Sequence, residues 1–153
     1  KAGLLTGYVV VEFRPGYPEV SSRNDRFNGV KETGALQSND AGTQIAAEIA
    51  PRNGDIVVVK KRVSAFVGSD LELILRSAGI ETLVLAGVST LGVVESTARA
   101  AIDMDFRVLV LADGCADAST EAHEAAIRHG IPFSATVRTC AEFIQDLDAH
   151  PRG

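Results

Sequence analysis

The sequence has no tryptophan, one methionine and only two cysteines among its 153 residues. Small secreted domains usually carry a larger, even number of cysteines in disulfide bonds, so Cys115 and Cys140 indicate reduced thiols. The first stretch, KAGLLTGYVVVEF, lacks the small-residue cleavage site of a secretory signal peptide. We therefore expect a cytoplasmic protein without a secretory leader.

Three further features are missing, and each argues against a class of partner. No apolar run approaches the roughly 20 residues that span a bilayer, so we expect no membrane association. The net charge is -5 and no basic stripe is present, which argues against nucleic acid. Gly87 and Gly92 do not form a dinucleotide fingerprint, and the histidines (His123, His129 and His150) lack zinc-ligand spacing. We therefore expect no bound metal and no cofactor.

What the sequence does contain is an alternation of apolar runs with helical stretches. With 46% apolar and 23% charged residues it is typical of a globular protein, and we predict one domain over 1–153. A long polar loop is predicted at 14–42. Strands are predicted at 8–13, 56–60, 82–87, 107–113 and 134–139, and helices at 43–50, 70–79, 91–104, 119–129 and from Thr139 to about 147.

Apolar strands that do not alternate in polarity are typically buried on both faces. Joined by helices, they predict an α/β fold, a three-layer α/β/α sandwich around a mostly parallel sheet, with the first four strands as its most buried elements. Ligands in such folds bind beyond the carboxyl ends of the strands. The candidate site residues are therefore those that follow each strand: Glu12, Phe13 and Arg14; Lys60, Lys61 and Arg62; Gly87 to Gly92; and Asp113 to Cys115.

Each of these candidates also has an ordinary structural explanation. Lys60 could be a solvated lysine or a ligand contact at the predicted ligand edge, and Arg14 and Arg62 could be surface arginines or contacts to an anionic ligand. Cys115 could pack as a small apolar residue or act as a reactive thiol. Cys140 lies near a helix start that could lower its pKa, but no base is evident in the sequence nearby.

Several motifs together resemble the isochorismatase-like cysteine hydrolase superfamily. They are a strand-end lysine followed by SAF (Lys60 to Phe66), GI before LVLAG (Gly79 to Gly87), a GVST turn leading into STARAA (Gly87 to Ala101), and an aspartate before CAD (Asp113 to Asp117). The earlier stretch VEFRPGYPEVS resembles one branch of the family. Their order and spacing cover nearly the whole chain.

The resemblance implies a Rossmann-like strand order 3-2-1-4-5-6 whose first, central strand carries an acidic residue. This sequence begins after that strand, since KAGLLTGYVVVEF matches the end of the first helix and the second strand. Three explanations stay open: an incomplete sequence, which we favour, a homologous segment from another chain, or a sheet closed differently. The family also forms dimers and tetramers, so we expect a homo-oligomer, with Tyr17 and Phe27 of the 14–42 loop at an interface or in a lid.

The mechanism that the resemblance implies uses a cysteine nucleophile, an aspartate base and a lysine. The lysine matches Lys60, whereas Val93 occupies the nucleophile position and cannot attack a carbonyl. Isochorismatases, which have glycine there, cleave a vinyl ether without a thiol. The resemblance further implies a cis peptide between Val88 and Ser89 that aims the amides near Gly92 and Val93 at an anion. The substrate-binding candidates are Glu12, Arg14, Arg62, Phe66, Ser89, Thr90 and Gly92.

Three functions follow from this comparison. The first is a hydrolase of a small carboxylate or amide metabolite that works without a cysteine nucleophile. The second is a catalytically silent member that binds a small ligand. The third, least favoured, is an amidohydrolase that depends on Cys115.

Overall fold

A computed structural model describes residues 3–38 and 40–149 and divides the chain into two compact units. The N-terminal unit comprises residues 5–62 and 67–70. Of the described residues, the C-terminal unit comprises 63–66 and 71–149, together with residues 3 and 4. Each unit contains a parallel sheet whose strands are connected through helical segments, which confirms the predicted α/β class.

The N-terminal unit is built on two parallel strands, β1 (Gly7–Val11) and β2 (Ile56–Lys60). Their valine-rich sequences favour extended backbone because β-branched side chains pack well on a pleated surface. The register places Val11 opposite Lys60, so the two carboxyl ends lie side by side. Between the strands run the helix α1 (Asp25–Thr33) and two short 3-10 turns, Ala41–Thr43 and Ala47–Ile49.

Two sequence predictions for the stretch between these strands are wrong. The predicted polar loop at 14–42 contains α1, which is capped by the Asn24 side chain at its start and ends at Gly34 in the left-handed conformation. The helix predicted at 43–50 is reduced to the two 3-10 turns.

The 14–42 segment packs against Phe13 through two of its aromatic rings, Tyr17 and Phe27. Phe13 is fully buried, and the centroid of its ring lies 5.7 Å from each of the Tyr17 and Phe27 ring centroids. The Tyr17 hydroxyl donates to the Ala35 carbonyl at 2.8 Å. Tyr17 and Phe27 are therefore buried within the chain, and the expectation that this segment forms an interface or a lid stays a prediction.

The C-terminal unit is a three-stranded parallel sheet in the order β3-β4-β5, comprising β3 (Thr82–Val88), β4 (Arg107–Ala116) and β5 (Thr136–Arg138). Its helices are α2 (Leu71–Ser77), α3 (Glu95–Asp103), α4 (Thr120–Ala125) and α5 (Cys140–Ala149). One-turn π-helices precede α3, at Thr90–Val94, and follow α4, at Ala126–Gly130. A 3-10 turn at Ile131–Phe133 leads into β5.

The core of the C-terminal unit lies where α3 packs on the sheet. Val94, Ala98 and Ala101 recur at helical spacing and are almost fully buried against Val108 and Val110 of β4. The strands are less buried than the sequence predicts, since Val9, Val57 and Val84 are 37–48% exposed. Among the described residues, β1 pairs only with β2, and β3 pairs only with β4. One side of β1 and one side of β3 are therefore unpaired sheet edges.

The register of β4 shifts in the middle of the strand. Leu85 of β3 lies opposite Val110, but Gly87, two residues later, lies opposite Cys115. β4 therefore carries extra residues opposite a short stretch of β3, which is a β-bulge. After β5, Thr139 and Glu142 form a capping box, with backbone-to-side-chain bonds of 2.7 and 3.2 Å that fix the start of α5.

Gly68 offers a test of backbone geometry in the N-terminal unit. Its φ is +74°, and a Cβ there would lie 2.9 Å from the Lys61 Cβ. Gly68→Ala should therefore lower the free energy of unfolding by about 2–3 kcal/mol, because the left-handed backbone and the clash both cost energy. Gly16→Ala is the matched control: its φ is +79° with nothing within 4 Å, so about 1 kcal/mol is expected. If urea denaturation shows the same loss of unfolding free energy in Gly68→Ala and Gly16→Ala, the predicted contact with the Lys61 Cβ is contradicted.

Candidate functional site

Lys60 ends β2 and is 4% exposed, so the solvated-lysine explanation does not hold. Burial lowers the pKa of Lys60 to about 8 from an ordinary 10.5, and repulsion from Arg26 adds to this shift. Buried ionisable groups with displaced pKa values are concentrated at functional sites. The structure therefore presents Lys60 as the leading functional candidate of the N-terminal unit.

Glu12 lies beside Lys60, since its backbone N–H donates to the Lys60 carbonyl at 3.4 Å. Its carboxylate accepts a hydrogen bond from the Ser38 hydroxyl at 2.8 Å, and its carbonyl accepts one from the Lys61 ammonium. Glu12 thus anchors the returning end of the 14–42 segment to the ends of the two strands. A contact between Glu12 and substrate stays a prediction.

Arg14 and Arg62 both contact Glu19. The Arg14 side chain is 68% exposed and pairs with the Glu19 carboxylate at 2.5 Å, while the Arg62 guanidinium donates to the Glu19 carbonyl at 2.8 Å and lies over the Phe27 ring. Burial raises the pKa of Glu19, but backbone hydrogen bonds and the charges of Arg14 and Lys61 hold it below its ordinary value. Both arginines therefore stabilise the 14–42 segment through Glu19. Their contact with a substrate anion stays a prediction.

The turn after β3 carries the candidate residues of the C-terminal unit. The peptide bond between Val88 and Ser89 is cis, as predicted. The π-helical turn Thr90–Val94 follows, and such turns are frequent at functional sites. Val93, at the position of the family nucleophile, is half-buried, and its N–H donates to the Ser89 carbonyl at 2.9 Å. The Val93 amide is therefore already used and is not available to an anion, contrary to expectation.

Ser89 and Gly92 lie against each other across this turn. A Cβ on residue 92 would come within 2.7 Å of the Ser89 hydroxyl oxygen. The sequence therefore needs glycine at position 92 for the turn to close over Ser89. Both residues keep their predicted place beside Val93, and their contact with a ligand stays a prediction.

Thr90 and Phe66 are buried. Thr90 has no exposed surface, and its hydroxyl lies 2.9 Å from Nδ1 of His123. Phe66 is 7% exposed and stacks on Phe106, with 6.0 Å between the ring centroids, inside the core of the C-terminal unit. Both side chains therefore support the surrounding structure, and a direct contact of either one with a ligand stays a prediction.

Sequence reasoning missed Asp117 and His123, which both contact the turn. The Asp117 carboxylate accepts hydrogen bonds from the Leu91 N–H at 2.7 Å and the Ala118 N–H at 2.8 Å. These two bonds, the Leu91 bond first, lower the pKa of Asp117. The signal was present in the sequence as an aspartate just before the Ser119 cap of α4, but only the fold brings it to the turn.

Cys115 lies near the end of β4, two residues after Asp113, and Cys140 begins α5 and contacts the Asp113 carboxylate. The Cys140 N–H donates to the Asp113 carboxylate at 2.7 Å, and a hydrogen bond between the Cys140 side chain and Asp113 raises the pKa of that thiol. Burial raises the pKa of Cys115. Both thiols are free of disulfides and are protonated at neutral pH.

Across residues 3–38 and 40–149, no cluster of three or more His, Cys, Asp or Glu side chains is arranged to hold a metal ion. No helix in the same residues is both long enough and apolar enough to cross a membrane.

The chain is similar to known proteins both in sequence and in structure. The isochorismatase domain model matches residues 2–142. The uncharacterised isochorismatase family protein YecD of Escherichia coli O157:H7 is 42% identical over 104 residues, which are 68% of this chain and 55% of YecD. The ureidoacrylate amidohydrolase RutB of Stutzerimonas stutzeri (strain A1501) is 39% identical over 105 residues, 68% of this chain and 42% of RutB.

Structural similarity covers more of the chain. The crystal structure of an isochorismatase-like hydrolase from Alkaliphilus metalliredigens superposes with a TM-score of 0.80 at 27% identity, covering 93% of this chain and 72% of that one. The curated relatives are matched over about half of their own length or less.

Proposed function

Because this chain belongs to the isochorismatase family, we propose that it is a cytoplasmic hydrolase of a small carboxylate or amide metabolite that works without a cysteine nucleophile. The observation that carries the proposal is Lys60, an amine buried at the carboxyl end of β2 with its pKa lowered to about 8. Burial of such a group costs free energy, and proteins retain that cost mainly where the group has a task.

The role proposed for Lys60 is to hold a substrate oxygen. With a pKa of about 8, most of the amine is protonated at neutral pH, so it donates charge-assisted hydrogen bonds. In a site shielded from water such bonds are stronger than at the surface. A carboxylate or an amide carbonyl is the complementary group, and ureidoacrylate, the compound in the name of the RutB relative, carries both.

The thiols support the cysteine-independent form of this proposal. A nucleophilic cysteine needs a lowered pKa or an adjacent free base, whereas the pKa values of Cys115 and Cys140 are both raised. Cys115 therefore lacks the activation that the third function requires. Val93 has no nucleophilic atom, so it also supports a second candidate, a silent member that binds a ligand without turnover.

Domain organisation and self-association enter as further proposals. We propose that residues 1–153 belong to one domain, because a single family model matches residues 2–142. We also propose that the protein is a dimer or tetramer. Light scattering at micromolar concentration tests the second point, and a monomer would contradict it.

Lys60→Met is the variant that tests the function. Calorimetry with ureidoacrylate and with isochorismate should show binding to the wild type that weakens by about 1.5–3 kcal/mol in Lys60→Met, because a charge-assisted hydrogen bond is lost. Methionine keeps the length of the buried chain. Lys31→Met is the matched control, since Lys31 is an exposed lysine in α1, and its effect should stay within about 0.5 kcal/mol.

The outcomes separate the candidates. Binding with turnover supports the hydrolase, and binding without turnover supports the silent member. Equal affinity of Lys60→Met and Lys31→Met for both compounds would remove Lys60 from the site and with it the proposed function.

Val93→Cys is expected not to create a thiol-dependent amidase. A new thiol at residue 93 needs a base, and Asp117, the carboxylate that the structure places at this turn, already accepts two backbone N–H groups. Ureidoacrylate hydrolysis should therefore be the same before and after treatment of the variant with iodoacetamide. Wild-type turnover that iodoacetamide abolishes would overturn cysteine independence.

A further inference from the structure

We propose that Asp117 and His123 are positioning residues that hold the turn after β3 in the shape its chemistry requires. The inference rests on the proposed function, because it assigns a role toward the site at Ser89, Gly92 and Val93. Neither Asp117 nor His123 is proposed to touch the substrate. Each acts through a residue of the turn.

Asp117 fixes the backbone of the turn. Its Oδ2 accepts from the Leu91 N–H at 2.7 Å, while Oδ1 accepts from the Ala118 N–H at 2.8 Å, so both carboxylate oxygens are used in backbone bonds. Leu91 is half-exposed, and its amide lies in the first turn of the helical segment, where N–H groups lack intrahelical partners. The carboxylate supplies the missing acceptor and orients the peptide between Thr90 and Leu91.

His123 fixes the side chain of the preceding residue. Its Nδ1 lies 2.9 Å from the Thr90 hydroxyl, and Thr90 has no exposed surface. A buried hydroxyl that loses its partner cannot recover a hydrogen bond from water, so displacement of Thr90 is costly. Thr90 directly follows Ser89, so the contact that holds its side chain also restrains the start of the segment that presents Gly92 and Val93.

One short segment supplies both contacts. Ser119 caps α4 by accepting from the Ala122 N–H at 3.1 Å, which fixes the start of the helix between Asp117 and His123. Two consecutive residues of the turn are thus held from a single rigid element, one through its backbone and the other through its side chain. That arrangement restrains both position and rotation of the turn, as pre-organised sites require.

The experiment compares His123→Leu, His123→Asn and Asp117→Ala. Asparagine places a polar atom near the position of Nδ1 and can still bond the Thr90 hydroxyl, whereas leucine cannot. Amide hydrogen exchange of Leu91 to Val94 should become about tenfold faster or more in His123→Leu and Asp117→Ala, and should return toward wild type in His123→Asn. Affinity for ureidoacrylate should fall about tenfold in His123→Leu and Asp117→Ala and should recover in His123→Asn. Glu124→Gln, which only weakens a surface pair with Arg128, is the matched control and should change neither quantity.

The alternative is a merely structural role, which would lower global stability without these local signatures. Unchanged exchange at residues 91–94 in His123→Leu and Asp117→Ala, or failure of His123→Asn to restore exchange, would overturn the inference. If His123→Leu does not fold, Thr90→Val removes the same hydrogen bond from its other end and keeps the volume. If the wild type binds none of the compounds, the proposed function fails, while the exchange rates still decide whether Asp117 and His123 hold the turn.

Discussion

Phe13→Ala is expected to lower the free energy of unfolding by about 3–5 kcal/mol. The ring has no exposed surface and packs against both Tyr17 and Phe27, so its removal leaves a cavity lined by two large rings. Its backbone also receives the returning segment, donating to the Leu36 carbonyl at 2.8 Å and accepting from the Ser38 N–H at 3.0 Å. Denaturation in urea, followed by circular dichroism, measures the loss.

Two control variants provide the comparison for the loss of unfolding free energy in Phe13→Ala. Phe13→Leu keeps most of the buried volume and should cost less than about 1.5 kcal/mol. Val9→Ala, at a partly exposed position on β1 in the same unit, should cost about 1 kcal/mol. A Phe13→Ala loss no larger than that of Val9→Ala would mean that the aromatic cluster does not hold the 14–42 segment.

Lys60→Met is expected to raise the free energy of unfolding by about 3 kcal/mol below pH 8. The folded protein holds the amine with a pKa of about 8, whereas the unfolded chain holds it near 10.5, so below pH 8 both states are charged and the folded state bears the full burial cost. Between pH 8 and 10.5 the folded state alone loses its proton, and wild-type stability rises with pH. The advantage of Lys60→Met should therefore shrink to near zero at about pH 10.5.

The difference between the two unfolding curves is the quantity to follow, because other groups titrate alike in both proteins. Urea midpoints of wild type and Lys60→Met should converge as the pH is raised from 7 to 10.5. A difference that stays constant across this range would show that Lys60 does not titrate with a displaced pKa. If the midpoints converge and Lys60→Met also binds ligand more weakly, then Lys60 lowers the stability of the folded protein and contributes to ligand binding.

The strands could be predicted from sequence because their signal is local. Valine and leucine runs located β2 with its observed bounds and β3 to within one residue at its end. Burial could not be predicted in the same way, because it depends on neighbours. Val57 lies in an apolar run yet is 48% exposed, since among the residues that the structure describes β1 and β2 pair only with each other.

Helix α1 was missed because its stabilisation is mostly tertiary. The sequence DRFNGVKET is polar and contains a glycine, so its intrinsic preference for helix is weak. Phe27, its one buried residue, packs against Phe13. The Asn24 cap and the terminal Gly34 were visible in the sequence, but a cap marks a helix only when an apolar face accompanies it.

The candidate site shows the same division. Lys60 ends β2, and Ser89 and Gly92 lie in the turn after β3, so strand position was enough to locate them. Asp117 and His123 lie 26 and 33 residues from their partners in the turn, and no spacing rule connects such distances. Their contribution depends on the β4 register and on the start of α4, which only the folded chain specifies.

The β-bulge in β4 makes chain length, more than side-chain identity, the constrained property of this stretch. Between the pairs Leu85–Val110 and Gly87–Cys115, two steps along one strand match five along the other. A Cβ on Gly114 would stand 3.3 Å from that of Ala86, so the bulge is also closely packed against β3. Deleting one residue there would move each side chain in the rest of β4 to the opposite face of the sheet. It would also shift Asp117 away from the Leu91 amide. Substitutions in this stretch should therefore be accepted far more readily than insertions or deletions.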